Sequence, residues 1–504
     1  VEIAHALSDT PALLPPPLVF EGAEWTSDDL ARRAWRWHRA ARGHGLGDGL
    51  QALVMTNEPE SVALFFALAA LPAPLIVLPS DARAWQSSPP VPAGTALALR
   101  PGQEHLAPSA ASLGMRPVVL AGGPSDSIEH GGPTTHRRAS GATDPQAPSP
   151  GAPTPLPIVA PATVLFTSGS TGAAKPVCRG LRGLITAAKA TILGYRLQPH
   201  EGIIASIPLA TSHGLVQALL VPAMLGSPVA LQERFDHRAV IDLFRSGRYA
   251  YWPAIPLMAD VVSRARVDDA RPRAPRMCTV TGGGLSATIF RAFRDRFGVA
   301  LRSAYGATEA GLVAVPQDDE GLDPDDVGTP MPGVSVSIGE APGAAPRAGE
   351  AGRIWVKSPW YADGYGFPPS LERPEMCDGW YATPDVGALD ARGRLALFGR
   401  LDDCFKTAGG RLVSAARIAS VACHCPGVED AHALPVRGAM GTAIGLLVSG
   451  HAVTTDAIRH HLAAHLPEWS WPRDIRIVSG LPRLAGGKVD RTACAAILAE
   501  PITT

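Results

Sequence analysis

Residues 166–176 read FTSGSTGAAKP: one aromatic residue, a burst of glycine, serine and threonine, then a single lysine. Residue types in this order are suited to holding phosphate. Gly169 and Gly172 let the backbone turn its N–H groups toward an anion, and Thr167, Ser168, Ser170 and Thr171 add hydroxyl donors. Lys175 supplies a positive charge able to follow a phosphate through a reaction. The common phosphate loop G-x-x-x-x-G-K-S/T is a poor match. Counted from Gly169, it meets Ala174 where glycine is required and Pro176 where the magnesium-binding hydroxyl stands. A Walker-type ATPase is therefore not expected, and the bland alternative is a flexible Gly/Ser linker.

Other candidates lie downstream. SAYGATEAG, residues 303–311, offers an aromatic face at Tyr305, a hydroxyl at Thr308 and a carboxylate at Glu309, suited to a base, a phosphate and a divalent metal. An ordinary turn before a strand is the competing interpretation. Gly282, Gly283 and Gly284 followed by Leu-Ser-Ala approximate a dinucleotide fingerprint, but about 20 positions on the expected acidic residue is missing, and Ala300, Leu301 and Arg302 stand there. Cys423, His424 and Cys425 are neighbours, yet adjacent helical residues point apart and no second ligand pair sits at zinc-like spacing, so a metal site is not expected.

The elements that must position these residues alternate between strand and helix, which favours an α/β architecture with largely parallel strands. The strand leading into the glycine-rich loop is residues 162–166, ATVLF. Earlier, Ser27 is read as the cap of a helix with Leu30, Ala34, Trp37 and Ala41 on one face; residues 50–55 read as a strand, with Asn57 capping the next helix. That helix, 61–71, is apolar nearly all round and should be buried, with a strand at 75–78 to follow. Later come a strand at 277–281 and a helix at 286–297. Residues 86–103 and 121–157 break the rhythm and read as surface loop or connector.

Composition bounds the function. The 504 residues suggest roughly three domains' worth of chain, and 46% apolar content suffices for large cores. A net charge of −1 with 45 basic and 46 acidic residues, in no sustained run, gives no reason to expect nucleic acid or an anionic membrane as partner. No window approaches about 18 uninterrupted apolar residues, so no membrane span is expected. The opening residues 1–17 show no basic region before an apolar stretch, so a signal peptide is not expected either. Seven scattered cysteines fit a reducing cytoplasm.

Five motifs in order then carry a resemblance. FTSGSTGAAK, YGATEAG, GWYATPDVG at 379–387, GRLDDCFKTAGGR at 399–411 and LPRLAGGKVDR at 481–491 resemble those of the adenylate-forming superfamily: acyl- and aryl-CoA synthetases, adenylation domains of peptide synthetases and luciferases. The resemblance covers nearly the whole chain. It implies an α/β fold with a large N-terminal domain of mixed, largely parallel sheets flanked by helices, and a small mobile α+β C-terminal domain. The division falls at 1–400 and 401–504, with a hinge at Asp402. It also implies a two-step reaction. A small-molecule carboxylic acid attacks the α-phosphate of ATP, giving an acyl adenylate and pyrophosphate, and a thiol then displaces AMP.

Roles come by resemblance alone. Lys488 matches the catalytic lysine bridging carboxylate and α-phosphate; Glu309 matches the Mg2+-binding glutamate, with Thr171 and Thr308 near the phosphates. Asp385 and Arg400 match the residues that grip the ribose. Tyr305, with Gly306 and Ala307 after it, would stack on adenine beside Gly282, Gly283 and Gly284. Lys406, Gly409 and Gly410 serve the thioester step. His213, in IPLATSHGL, matches a histidine that lines the acyl pocket and gates the carboxylate, with Gly283 and Trp252 as further pocket candidates. Amino-acid-activating members carry an aspartate in this segment; Thr211, Ser212 and His213 provide none, so the acid should lack an α-ammonium. The acceptor is CoA or, alternatively, the phosphopantetheine of an acyl carrier protein. A degenerate, non-catalytic nucleotide binder is a third alternative, against which Lys175, Glu309, Asp385, Arg400 and Lys488 argue. Pro384, Arg417 and the pair Ala173 and Ala174 depart from the family pattern.

Overall fold

The structure is a computed structural model that describes residues 13–86, 89–120, 155–167, 174–265, 273–317, 322–324, 326–343, 351–409, 412–438, 441–482 and 489–499. Two large sheets dominate. The first has seven strands in the order Leu301–Ser303, Met277–Val280, Tyr249–Ala254, Gly202–Ala205, Val229–Leu231, Leu18–Phe20 and Ala23–Trp25, all parallel except the last. The second has eight strands: Ser370–Glu372, Gly364–Phe367, Pro176–Gly180, Ala162–Phe166, Leu75–Leu78, Gln51–Val54, Ala96–Leu99 and Arg116–Val119. Its last five strands run parallel and its first three are joined antiparallel.

Side-chain alternation explains how the sheets share one interior. Leu53, Leu75, Val77 and Leu165 face the main core, together with Ile203 and Val229 of the other sheet, while Ala52, Val54, Ile76, Leu78 and Val164 fill a second core on the opposite face. Strands buried on both faces are apolar at nearly every position; the exceptions, Gln51 and Thr163, donate to backbone carbonyls, Gln51 to those of Leu68 and Ala73 and Thr163 to that of Arg179. The helix Pro59–Ala69 is buried at ten of its eleven positions, so apolar residues all round its circumference are satisfied. Leu181–Tyr195 also belongs to this interior.

Two smaller sheets complete the large domain. Tyr305–Ala307, Gly311–Val315 and Thr329–Pro330 form one; Ser335–Ile338, Gly352–Lys357, Trp380–Leu389, Met376–Cys377 and Leu395–Arg400 form the other. After Leu401–Asp403, a tight helical turn, the chain forms a separate α+β unit. Its strands Cys404–Lys406 and Leu412–Ser414 pair together, and Val428–Gly438, Gly441–Gly450 and Asp474–Val478 form a sheet packed by Ala415–Cys423 and Arg491–Ala499. No sheet of the described residues combines strands from before and after residue 401. The chain thus has a large N-terminal and a small C-terminal domain. No helix among the described residues is long and apolar enough to cross a membrane, and all seven cysteines are free.

Some local expectations change. Thr26, not Ser27, caps the first helix, because Thr26 and Asp29 satisfy each other's backbone N–H groups in a capping box. Trp37 is only partly buried and donates to Glu60. Asn57 does not cap its helix; its side chain donates to the Ile207 carbonyl and accepts from Leu209 N–H, tying that corner to the segment before His213. The stretch 86–103 is not simply loop: Ala96–Leu99 is a fully buried strand, too short and too flanked by Pro and Gly to show a period. Of the stretch 121–157, residues 121–154 lie outside the described residues.

Candidate active site

The carboxyl ends of parallel strands gather the candidates. After Gly202–Ala205 the chain runs into the His213 segment, after Met277–Val280 into Gly282, Gly283 and Gly284, and after Leu301–Ser303 into Tyr305. Ala304 N–H donates to the Val280 carbonyl and Thr281 N–H to that of Ala254, which keeps these loops on one edge. Such edges of open parallel sheets are where ligands bind. The three glycines are exposed, and Gly282 has φ +83°, a conformation glycine adopts without penalty.

The glycine-rich segment caps an antiparallel hairpin, since Phe166 pairs with Pro176 in register. Thr167 N–H donates to the Lys175 carbonyl at 3.0 Å and Lys175 N–H to Thr167 Oγ1 at 3.3 Å, closing its base. Ser168, Gly169, Ser170, Thr171 and Gly172 lie outside the described residues. Lys175 Nζ stands 5.8 Å from the centre of the Tyr365 ring. The hydroxyl of Tyr365 in turn donates to Glu309 Oε1 at 2.8 Å. One tyrosine therefore links the lysine beside the phosphate loop to the candidate metal-binding carboxylate. Nothing in the sequence singles out Tyr365: it lies between two glycines on a strand 190 positions after Lys175.

Glu309 is placed by a hairpin that only glycine permits. A Cβ at Gly306 would come within 2.6 Å of the Gly311 carbonyl, and Gly311 itself has φ +71°. The Glu309 carbonyl accepts from Ala362 N–H at 2.7 Å, fixing the turn, and Thr308 lies half-buried beside it. Among the described residues no group of three or more His, Cys, Asp or Glu side chains is arranged to hold a metal. A single carboxylate fits Mg2+ held chiefly by nucleotide phosphates, which is how that ion usually binds.

Asp385 and Arg400 face each other across the antiparallel strands Trp380–Leu389 and Leu395–Arg400. Tyr305, 5% exposed, donates its hydroxyl to Asp385 Oδ2 at 2.8 Å. Burial raises the Asp385 pKa, the Tyr305 hydroxyl and the Arg400 charge oppose that rise, and the Glu309 charge adds to it. With Pro384 before it, Asp385 still pairs in register with Arg400. The ladder with Gly352–Lys357 slips between Ala382 and Val386, so proline sits in a bulge where the ladder asks no N–H of it.

His213 opens a helix whose start is forced by its neighbours. Thr211 Oγ1 accepts from Gly214 N–H at 3.0 Å, and a Cβ at Gly214 would lie 2.0 Å from the Pro208 carbonyl. The turns after it, Leu215–Leu220, are π-helical before the helix continues at Val221–Leu225. His213 is half-buried, and its Nε2 is buried with no hydrogen-bond partner among the described residues. Burial pulls its pKa down to about 4, so the imidazole is neutral at pH 7.

Trp252 is not a pocket wall. It is wholly buried, stacks on Phe293 at 14° with Phe244 against its edge, and donates its indole N–H to Ser206 at 2.9 Å. Its flat bulk made it a pocket candidate, but a strand buried on both faces uses such bulk for packing. In the small domain, Lys406 reaches Glu340 of the large domain at 3.6 Å between two exposed side chains, and Gly409 is exposed. Arg417 stacks on Phe398 at 5.2 Å. Asp403, next to the expected hinge residue Asp402, pairs with Arg491. Gly410 and Lys488 lie outside the described residues.

Comparison with known proteins adds three findings. The family model of AMP-binding enzymes matches residues 3–366. A probable CoA ligase, CCL9, of Humulus lupulus is 26% identical over 68% of this chain and 66% of its own length; the sulfoacetate–CoA ligase of Cupriavidus necator is 29% identical over 71% and 69%. The matched region thus spans about two thirds of these curated relatives. The solved structure of apo MatB from Rhodopseudomonas palustris superposes with a TM-score of 0.75 over 98% of both chains at 21% identity, a likeness of fold.

Proposed function

The chain belongs to the AMP-binding enzyme family, and we propose that within it the chain is an acid–thiol ligase. It activates a carboxylic acid without an α-amino group as an acyl adenylate and passes the acyl group to CoA. The supporting observations are the linkage of Lys175 through Tyr365 to Glu309 and the Tyr305–Asp385–Arg400 group on the two small sheets. Both curated relatives are CoA ligases by name.

In the first step a carboxylate oxygen attacks the α-phosphorus, and the bond to the bridging oxygen of pyrophosphate breaks with its electron pair leaving on pyrophosphate. An anion attacks an anion here, so fixed positive charge carries the catalysis. Lys175 holds the departing pyrophosphate, and Lys488 bridges carboxylate and α-phosphate. Asp385 and Arg400 grip the ribose and Tyr305 backs the adenine. Mg2+ on Glu309 would neutralise phosphate charge. Neutral His213, with no charge of its own, sits beside the acid and leaves its neutralisation to the lysines. In the second step the thiol sulfur attacks the acyl carbon, the bond to AMP breaks, and the thiol proton is released. Lys406, Gly409 and Gly410 shape the path of the thiol after the small domain turns about Asp402. We place the reaction in the cytoplasm, where ATP and CoA are available and free cysteines persist.

Isotope exchange between pyrophosphate and ATP tests the first step over a panel of sulfoacetate, oxalate, 2-succinylbenzoate, benzoate and hexanoate. CoA against a phosphopantetheinylated carrier protein then tests the acceptor. Exchange with at least one acid and thioester on CoA are expected. ATP binding without exchange on any acid defeats the enzyme reading, and transfer to the carrier alone replaces CoA as acceptor.

A further inference from the structure

Arg179, in the strand Pro176–Gly180 just past Lys175, is 1% exposed. Arginine is almost never buried so completely unless paired. Its fork is divided between two other segments. Nη1 donates to Ser212 Oγ at 2.9 Å and Nη2 to the Trp360 carbonyl at 2.9 Å, while Nε has no partner among the described residues. None of the described carboxylates lies within ion-pair distance; Glu309 and Asp363 act on the guanidinium from farther off, and burial brings its pKa down to about 10.

The partners explain what this arrangement is for. Ser212 precedes His213 at the start of its helix. Trp360 begins the turn whose Ala362 N–H holds the Glu309 carbonyl and which leads to Tyr365, the donor to the Glu309 carboxylate. The space around the guanidinium is filled, since a Cβ at Gly311 would lie 3.1 Å from Nη2 and 2.8 Å from Trp360 Nε1. An apolar side chain of similar volume would pack such a site without desolvating a charge. The cation is therefore kept for geometry rather than stability.

We propose that Arg179 is a positioning residue, a strut that fixes the His213 helix and the Glu309 turn to the strand leaving the phosphate loop, so that acid and nucleotide are held in one register. The proposal rests on the proposed roles of His213 beside the acid and Glu309 beside the nucleotide. Ser212→Ala cuts only the arm to the acid side. It should raise the acid KM about tenfold, as small misplacements do, and leave the ATP KM within about twofold. Arg179→Met cuts both arms and should raise both KM values. The double variant should be no worse than Arg179→Met in acid KM, because both changes break one linkage. Exchange kinetics with the fastest acid of the panel, on protein shown to be folded by thermal unfolding, give these numbers.

Unchanged KM values in folded Arg179→Met, or additive effects in the double variant, overturn the strut. If Arg179→Met does not fold, the KM split in Ser212→Ala decides. If the unaltered protein exchanges with no acid, the functional reading fails and the strut is judged by nitrogen NMR of the His213 ring: a shift in Ser212→Ala supports it, and an unmoved signal overturns it.

Discussion

In its proposed role at the ribose Asp385 accepts best as a carboxylate, and burial works against its ionisation. The Tyr305 hydroxyl is one of the groups that restores it. Tyr305→Phe should therefore raise the ATP KM by about tenfold, in line with about 1.5–3 kcal/mol for a hydrogen bond to a charged group. It should also move the acid limb of the exchange profile to higher pH; an unmoved limb would show that Asp385 does not set it. His213 behaves differently. Its pKa is lowered by burial from 6.5 to about 4, so between those values the unfolded chain binds the extra proton and the folded one does not. Its neutral form leaves stability undiminished above about pH 6.5, and stability falls as pH drops toward 4. His213→Gln should flatten that part of a urea-unfolding profile taken against pH.

Elements decide which residues the sequence reveals. Tyr305, Glu309, Asp385 and Arg400 stood out in the sequence by type and motif, but that Asp385 faces Arg400 came only with the pairing of their strands. Tyr365 and Arg179 did not stand out, because their meaning comes from strand order: Gly364–Phe367 lies beside Pro176–Gly180 only once the eight-stranded sheet has formed. Trp252 misled for the opposite reason. Aromatic bulk looks the same in a string of letters whether it faces a ligand or Phe293. Ala96–Leu99 escaped because four buried residues show no period. Gly214 makes the element scale testable. With a Cβ only 2.0 Å from the Pro208 carbonyl, Gly214→Ala must move the start of the His213 helix. The expected result is an increased acid KM and a loss of about 1–3 kcal/mol of stability, as overpacking usually costs. Unchanged kinetics would mean that His213 does not contact the acid.

At the scale of the molecule, the proposed mechanism has two half-reactions share one small domain, and two variants should separate them. Lys488→Ala should lower exchange by at least about a hundredfold, as loss of one stabilising group in a transition state does, yet leave thioester formation from a synthetic acyl adenylate nearly intact. Asp402→Pro should do the reverse, since proline fixes a φ that the proposed rotation about this residue would change. Equal losses in both half-reactions from Asp402→Pro would remove it as the hinge. Between the domains the pair Lys406 and Glu340 is exposed on both sides and holds little, while Ser414 Oγ donates to the Phe398 carbonyl and Arg417 lies over the Phe398 ring. The fold class was legible from the alternation of strand and helix and from the order of the motifs. The orientation of the domains was not, since it rests on contacts such as Ser414 with Phe398 and Lys406 with Glu340 that leave no pattern in the chain.

Arg400 is the last residue of its strand, and the sheets divide immediately after it. On the proposed roles, Asp385 and Arg400, the two residues that would grip the ribose, both belong to the large domain. Residue 401 is accordingly a natural crossover for recombination. A C-terminal portion taken from another member of the family could be spliced there, changing which thiol is served while the choice of acid is inherited unchanged from the N-terminal parent.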